Sequence, residues 1–142
     1  MALGLALILS LSISYKMKKD ITNRDDVYLL VSQFYEKVKK DKEIGHFFNN
    51  SIKDWDSHID KITDFWESGL FFVSSYSGNP PKAHIKVDAE NNNEIDEKSF
   101  GVWLNLWFQT INENFEGEIA ERAKHNARKM ATHLHLKIFA AR

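Results

Sequence analysis

Residues 76–87 (YSGNPPKAHIKV) hold both prolines of the chain, with His84 three residues beyond the second. Proline fixes φ and removes a hydrogen-bond donor, and Gly78-Asn79 ahead of the pair is turn chemistry. The chain is expected to leave a helix, make a rigid corner and present His84 at the start of a short new element. An imidazole aimed by a stiff corner suits metal ligation, because its neutral form keeps one lone-pair nitrogen. The other ring nitrogen then needs an acceptor, most simply a backbone carbonyl. A second histidine, His58, lies on a strongly apolar helical stretch. It follows Trp55 by three residues and precedes Ile62 by four, so it faces the core side.

Two further side chains carry polar atoms into apolar patterns. Tyr35 follows Val31 by four residues and so faces largely inward, and Trp103 stands among inward positions of a later helix. A buried Tyr or His needs a hydrogen-bond partner. Tyr35 and His58 either satisfy each other in a plain core or serve a ligand, and spacing alone leaves both open. The indole N–H of Trp103 is a donor only, able to bond a ligand oxygen, although an inward Trp is more often simply core. His133 and His135 are two apart on a helix and point to different faces, so they do not chelate. His46 and His125 read as surface residues. No Ser/His/Asp set or acid pair can be defended.

The elements that must position these residues are helical. Asn23 reads as an N-cap, with Asp25 and Asp26 in the first turn, and Val27, Leu30, Val31, Phe34 and Val38 form an inward stripe. Lys37, Lys39, Lys40 and Lys42 read as a solvated face. Residues 44–50 break the pattern and read as a turn plugged by Phe47 and Phe48. A second helix is expected over about 54–72, on Trp55, Ile59, Ile62, Trp66 and Gly69 with Phe65 flanking. Residues 88–94 read as a polar loop with a mobile tip. A third helix is expected over about 95–115, with Phe100, Trp103, Leu104, Trp107, Phe108 and Ile111 inward. A fourth covers about 118–139. With no β-alternation and no glycine-rich phosphate loop, the predicted fold class is all-α.

At 142 residues the chain is large enough for one domain with a real core, and 27% charged residues mark it as globular. Ten Phe and four Trp suit a core wrapped around something flat, or an aromatic-rich core alone. The absence of cysteine excludes disulfides and thiolate metal ligands, and a net charge of −1 gives no case for nucleic acid. Residues 1–14 are uncharged, apolar and shorter than the roughly 20 residues a membrane helix needs. Residues 1–16 read first as a start codon placed too early, since Met17 would make a natural start. A signal-like leader and a weak anchor are the alternatives. A retained anchor, followed by lysines, would keep the domain cytoplasmic. Membrane association is not expected otherwise, and residues 17–142 form the expected domain.

Several pieces recur in the order found in another group of proteins. They are Phe34-Tyr35-Glu36-Lys37-Val38, the Phe47-Phe48-Asn49-Asn50 turn, Trp55-x-x-His58, Phe65-Trp66, Tyr76-x-Gly78-x-Pro80-x-x-x-His84 and Trp103-Leu104. Together they resemble the truncated haemoglobins, most closely the third group of that family, over about residues 20–140. The doubled proline Pro80-Pro81 and the Asn-rich stretch before Ile95 depart from the pattern. The resemblance implies a compact truncated globin fold packed around one non-covalent haem b. It implies His84 as the iron ligand, Tyr35 and Trp103 as donors to an iron-bound ligand, and His58 as a gate. Ile62 would line the same wall, with Phe34 and Trp66 packed nearby. Tyr76 and Lys82 are the candidates for the haem propionates. The implied ligands are dioxygen, carbon monoxide and nitric oxide. Two donors near the ligand favour slow release, hence scavenging, sensing or redox detoxification over bulk transport. Turnover would need an electron-donating reductase. The alternatives are a haem enzyme acting on nitric oxide or peroxide, and a haem-free helical binding module.

Overall fold

The computed structural model describes residues 17–142, and the apolar stretch read as a leader lies outside the described residues. Among the described residues the chain forms α1 (Arg24–Lys40), α2 (Gly45–Ser51), α3 (Trp55–Phe71), α4 (Pro80–Glu90), α5 (Glu97–Asn114) and α6 (Glu118–Ala140), with no strand. The all-α expectation holds. None of the described helices is long and apolar enough to cross a membrane.

Four helices start where the sequence places a short polar cap. Asn23 accepts from the Asp26 N–H, Asp54 from Ser57, Asn79 from Lys82 and Asp96 from Ser99. Ser99 also returns a bond to the Asp96 N–H, closing a capping box. Pro80 and Pro81 occupy the first two positions of α4, where a backbone N–H would have no helical partner anyway. The stiff corner expected ahead of His84 is therefore the first turn of its own helix. α6 begins differently. Its N-cap, Gly117, has no side chain to offer, and Asp20 reaches in from beyond α1 to accept from the Ile119 and Ala120 N–H groups, each at 2.9 Å. Gly117 sits at φ +137°, and a Cβ there would lie 2.5 Å from the Asp20 carboxyl carbon. Glycine is the residue that tolerates both conditions.

The structure corrects several expectations. Residues 45–51 form a helix rather than a turn. Asp41 Oδ1 accepts from the Glu43 and Ile44 N–H groups at 2.8 and 3.0 Å, folding the chain straight back. Gly45 then passes so close to α1 that a Cβ would meet the Val38 carbonyl oxygen at 2.9 Å. Gly69 faces solvent, not the core. Lys37 and Lys39 are half-buried rather than free: Lys37 pairs with Glu113, and the Lys39 ammonium lies 4.3 Å above the Trp55 ring. Asp88 belongs to α4 and is buried, so the polar loop is shorter than expected. Its carboxylate accepts from the Ile95 N–H and takes two bonds from Arg142, at 3.0 and 2.9 Å. Asn92 and Asn93 make the turn in the left-handed region, which Asn tolerates.

The core centres on Trp107 of α5, which is fully buried. Its ring stacks on Trp66 of α3 at 4.5 Å and meets Phe34 of α1 edge-on at 5.1 Å. Its indole N–H donates to the Ala123 carbonyl of α6 at 3.2 Å. Four helices are thus tied at one side chain. The small stripe Ala120, Ala123, Ala127 and Ala131, all buried, lets α6 approach closely. Replacing Asp20 by alanine should remove both external caps of α6 and destabilise the protein by about 1–2 kcal/mol, read from urea denaturation. An unchanged midpoint would show that the caps are dispensable.

Candidate functional site

One cleft runs between α3 and α4 and is roofed by α5. It has two lobes, holding about 830 and 800 Å³ of free space with their open mouths included. Both lobes touch Tyr35, Phe48, His58, Ile62, His84 and Trp103. One continues past Phe47, Val87, Ile95, Phe100 and Leu134. The other opens past Phe34, Phe65, Trp66 and Met130 to Lys61 and Tyr76. The walls are almost wholly aromatic and aliphatic, with a few polar atoms, as expected of a cofactor pocket of this size.

His84 lies one turn into α4. Its Nδ1 is 2.7 Å from the Pro80 carbonyl oxygen. A carbonyl only accepts, so Nδ1 carries the proton and Nε2 of the neutral ring is left with the lone pair. Among the described residues Nε2 has no hydrogen-bond partner. The second-nitrogen acceptor expected from the sequence is therefore Pro80. Burial favours the neutral imidazole and pushes its pKa down, and the Pro80 carbonyl pulls weakly the other way. The far end of the helix is fixed too, by the Asp88–Arg142 pair one turn beyond His84.

His58 comes from α3, and its Nε2 is 3.1 Å from the Tyr35 hydroxyl of α1. The two residues do bond each other, while both also face the cleft. Loss of solvation lowers the His58 pKa to about 4, with smaller contributions from the Lys61 and His84 charges. Burial raises the Tyr35 pKa well above its ordinary value. Both are neutral across the physiological range. Trp55 packs edge-on against Tyr35 at 5.5 Å and against His58 at 5.8 Å. Trp103 meets Phe34 edge-on at 5.7 Å and stacks with Trp107 at 6.3 Å.

All seven side chains singled out from the sequence line this cleft: Phe34, Tyr35, His58, Ile62, Trp66, Trp103 and His84. Of the two propionate candidates, Tyr76 lines the mouth, held where Ser68 Oγ accepts from its N–H at 2.9 Å. Lys82 is exposed and lines neither lobe. The cation at the mouth is Lys61, which sequence reasoning passed over. The available signal was its place three residues after His58 on the same helix. Ser51, Met130 and Leu134 were also missed as lining residues.

Among the described residues no three His, Cys, Asp or Glu side chains converge on one point. Of the two imidazoles that line the cleft, His58 has its Nε2 against the Tyr35 hydroxyl, so His84 is the one that offers a metal a free nitrogen. That donor set suits an ion whose in-plane ligands come from an organic ring, and aromatic walls suit the faces of such a ring. These residues fit a haem.

Among the described residues, six helices around one such cleft, with one ligand-ready imidazole, define a small globin. No known family model matches the chain. A group 3 truncated hemoglobin of Campylobacter jejuni is 31% identical over 121 residues, covering 82% of this chain and 91% of the relative. The crystal structure of group III truncated hemoglobin from Campylobacter jejuni superposes with a TM-score of 0.76 at 31% identity, over 86% of this chain and 95% of that one. The chain belongs to the group 3 truncated hemoglobins, a family of haem-binding globins.

The His58 shift has a consequence for stability. Unfolded, His58 titrates near 6.5, and folded at about 4, so between these values the unfolded chain binds more protons. The contribution is fully present above pH 6.5 and is lost as pH falls toward 4. The urea midpoint should therefore fall between pH 7 and pH 5, and His58→Gln should flatten that dependence. An equal slope in the variant would assign the effect to other groups.

Proposed function

We propose that the cleft binds one haem b, with His84 as the protein's ligand to the iron, and that Tyr35, His58 and Trp103 face a diatomic ligand on the opposite wall. The observation that carries this reading is the 2.7 Å bond from His84 Nδ1 to the Pro80 carbonyl. It fixes the tautomer and leaves Nε2 as the lone-pair nitrogen of a residue that lines both lobes. The chain contains no cysteine, so thioether attachment has no anchor and the haem is held by ligation and packing. When bound, the haem iron supplies a coordination position for dioxygen, carbon monoxide or nitric oxide that no side chain here provides.

Phe34, Ile62, Trp66 and Trp103 keep the interior dry, which strengthens any hydrogen bond made there. The Lys61 ammonium at the mouth suits a propionate carboxylate, with the Tyr76 hydroxyl beside it. The Tyr35–His58 contact sets what Tyr35 can offer. With the proton on His58 Nε2, the imidazole donates to the phenol oxygen and the phenol hydrogen is free for a ligand. With the proton on Nδ1, the phenol donates to His58 instead. A ligand able to accept a hydrogen bond favours the first arrangement. Each such bond contributes on the order of 1 kcal/mol or more. Slow release follows, which fits scavenging, sensing or redox turnover of dioxygen or nitric oxide better than bulk transport. Turnover would draw electrons from a reductase.

His84→Ala should abolish haem retention through gel filtration, read from the visible absorption band. A variant that keeps its haem would remove His84 from the role. Tyr35→Phe should speed dioxygen release from the haem-loaded protein by about fivefold or more, measured by stopped flow. An unchanged rate would mean that Tyr35 does not bond the ligand.

A further inference from the structure

We propose that Tyr35, His58 and Trp55 form a proton-coupled electron relay, which carries an oxidising equivalent from the cleft to the surface when the haem-loaded protein meets hydrogen peroxide. The proposal rests on the haem reading given above and joins Trp55, to which that reading gives no role, to the Tyr35–His58 pair. Tyr35 is buried, its hydroxyl lies 3.1 Å from His58 Nε2, and both residues line the cleft. Trp55, half-exposed, packs against both rings at 5.5 and 5.8 Å. A phenol gives up an electron readily only if its proton has somewhere to go. His58 Nε2 is a base already in hydrogen-bond contact. The other oxidisable rings lack this provision. Trp107 donates its N–H to a carbonyl, which is not a base, and is fully buried. Trp66 is buried against it. Among the described residues the Trp103 ring meets the aromatic rings of Trp107 and Phe34, and Phe34 leads back to Tyr35.

One hydrogen peroxide would require two electrons and two protons to become two waters, and the loaded cleft would draw those electrons from the protein. Tyr35 gives one electron to the loaded cleft and passes its proton to His58 Nε2, leaving a neutral phenoxyl radical. Trp55 then reduces that radical, the proton returns from His58 to the phenol oxygen, and the indole proton leaves to solvent. A second electron lost from Trp55 by the same route, followed by addition of water and loss of a proton, yields a hydroxylated indole. Overall one peroxide and Trp55 give hydroxytryptophan and one water. The Lys39 ammonium 4.3 Å above the Trp55 ring opposes positive charge on that ring, so it restrains this last transfer.

The test treats haem-loaded protein, its absorption band verified first, with one equivalent of hydrogen peroxide. Radicals are read by freeze-quench electron paramagnetic resonance and oxygenated residues by peptide mass mapping. The wild type should show a tyrosyl signal and a single added oxygen on Trp55. Tyr35→Phe and His58→Leu should each lose the Trp55 label several-fold. Trp55→Phe should lengthen the life of the tyrosyl signal, and Lys39→Gln should increase labelling of Trp55. An unmodified Trp55 in the wild type, or equal labelling in Tyr35→Phe, would overturn the relay while leaving the haem reading intact. Failure of the wild type to take up haem would overturn both.

Discussion

The Trp107 indole is the point on which the packing depends. Its N–H bond to the Ala123 carbonyl fastens α5 to α6, its face lies on Trp66 of α3, and its edge receives Phe34 of α1. An indole N–H with no partner in an apolar core would cost about 1–3 kcal/mol, so the bond also fixes the ring's orientation. Trp66 and Phe34 turn their other sides to the cleft. Its inner wall is therefore the outer surface of the aromatic core, and the walls cannot shift without disturbing that stack.

Against this fixed wall stands α4, a short helix whose position is set at its two ends. Asn79 caps its start, and the buried Asp88 carboxylate joins its last turn to Ile95 and Arg142. Between them, the Pro80 carbonyl accepts from the side chain of His84. The cleft thus has opposite chemical characters on its two sides. A lone pair without hydrogen faces it from α4, and an O–H or N–H donor faces it from the Tyr35–His58 pair. This asymmetry suits a flat cofactor that needs one strong donor atom on one face and a tunable hydrogen bond on the other. In the proposed roles one Tyr35–His58 hydrogen bond would serve both ligand retention and the proton transfer a redox-active phenol requires.

Much of this was legible in the sequence because the signals are local. Asn23 announces the start of α1 within a few residues of itself, and Asn79 with the two prolines marks the corner ahead of His84. The 3–4 spacing of Trp55, His58 and Ile62 places His58 on the cleft side of α3. What escaped depends on distant partners. Asp88 looks like part of an Asn-rich loop until Arg142, far along the chain, makes its burial tolerable. The helical turn of residues 45–51 depends on the close pass of Gly45 over the end of α1, which no propensity records. Gly69 fits the apolar stripe by position but sits on the solvent side. Whether Tyr35 and His58 would bond each other could not be settled by spacing, because they lie on different helices. Lys61 carries no local signal of its own, and only the folded cleft brings it to the mouth.

The central claim is that this cleft holds a haem through one histidine and leaves the opposite face open to a gas. The most direct test is the visible absorption spectrum of the protein purified without added haem, then reduced, then exposed to carbon monoxide. An intense Soret band that shifts on reduction and again with the gas is the predicted result. A folded, helical protein that stays colourless and takes up no added hemin would contradict the account.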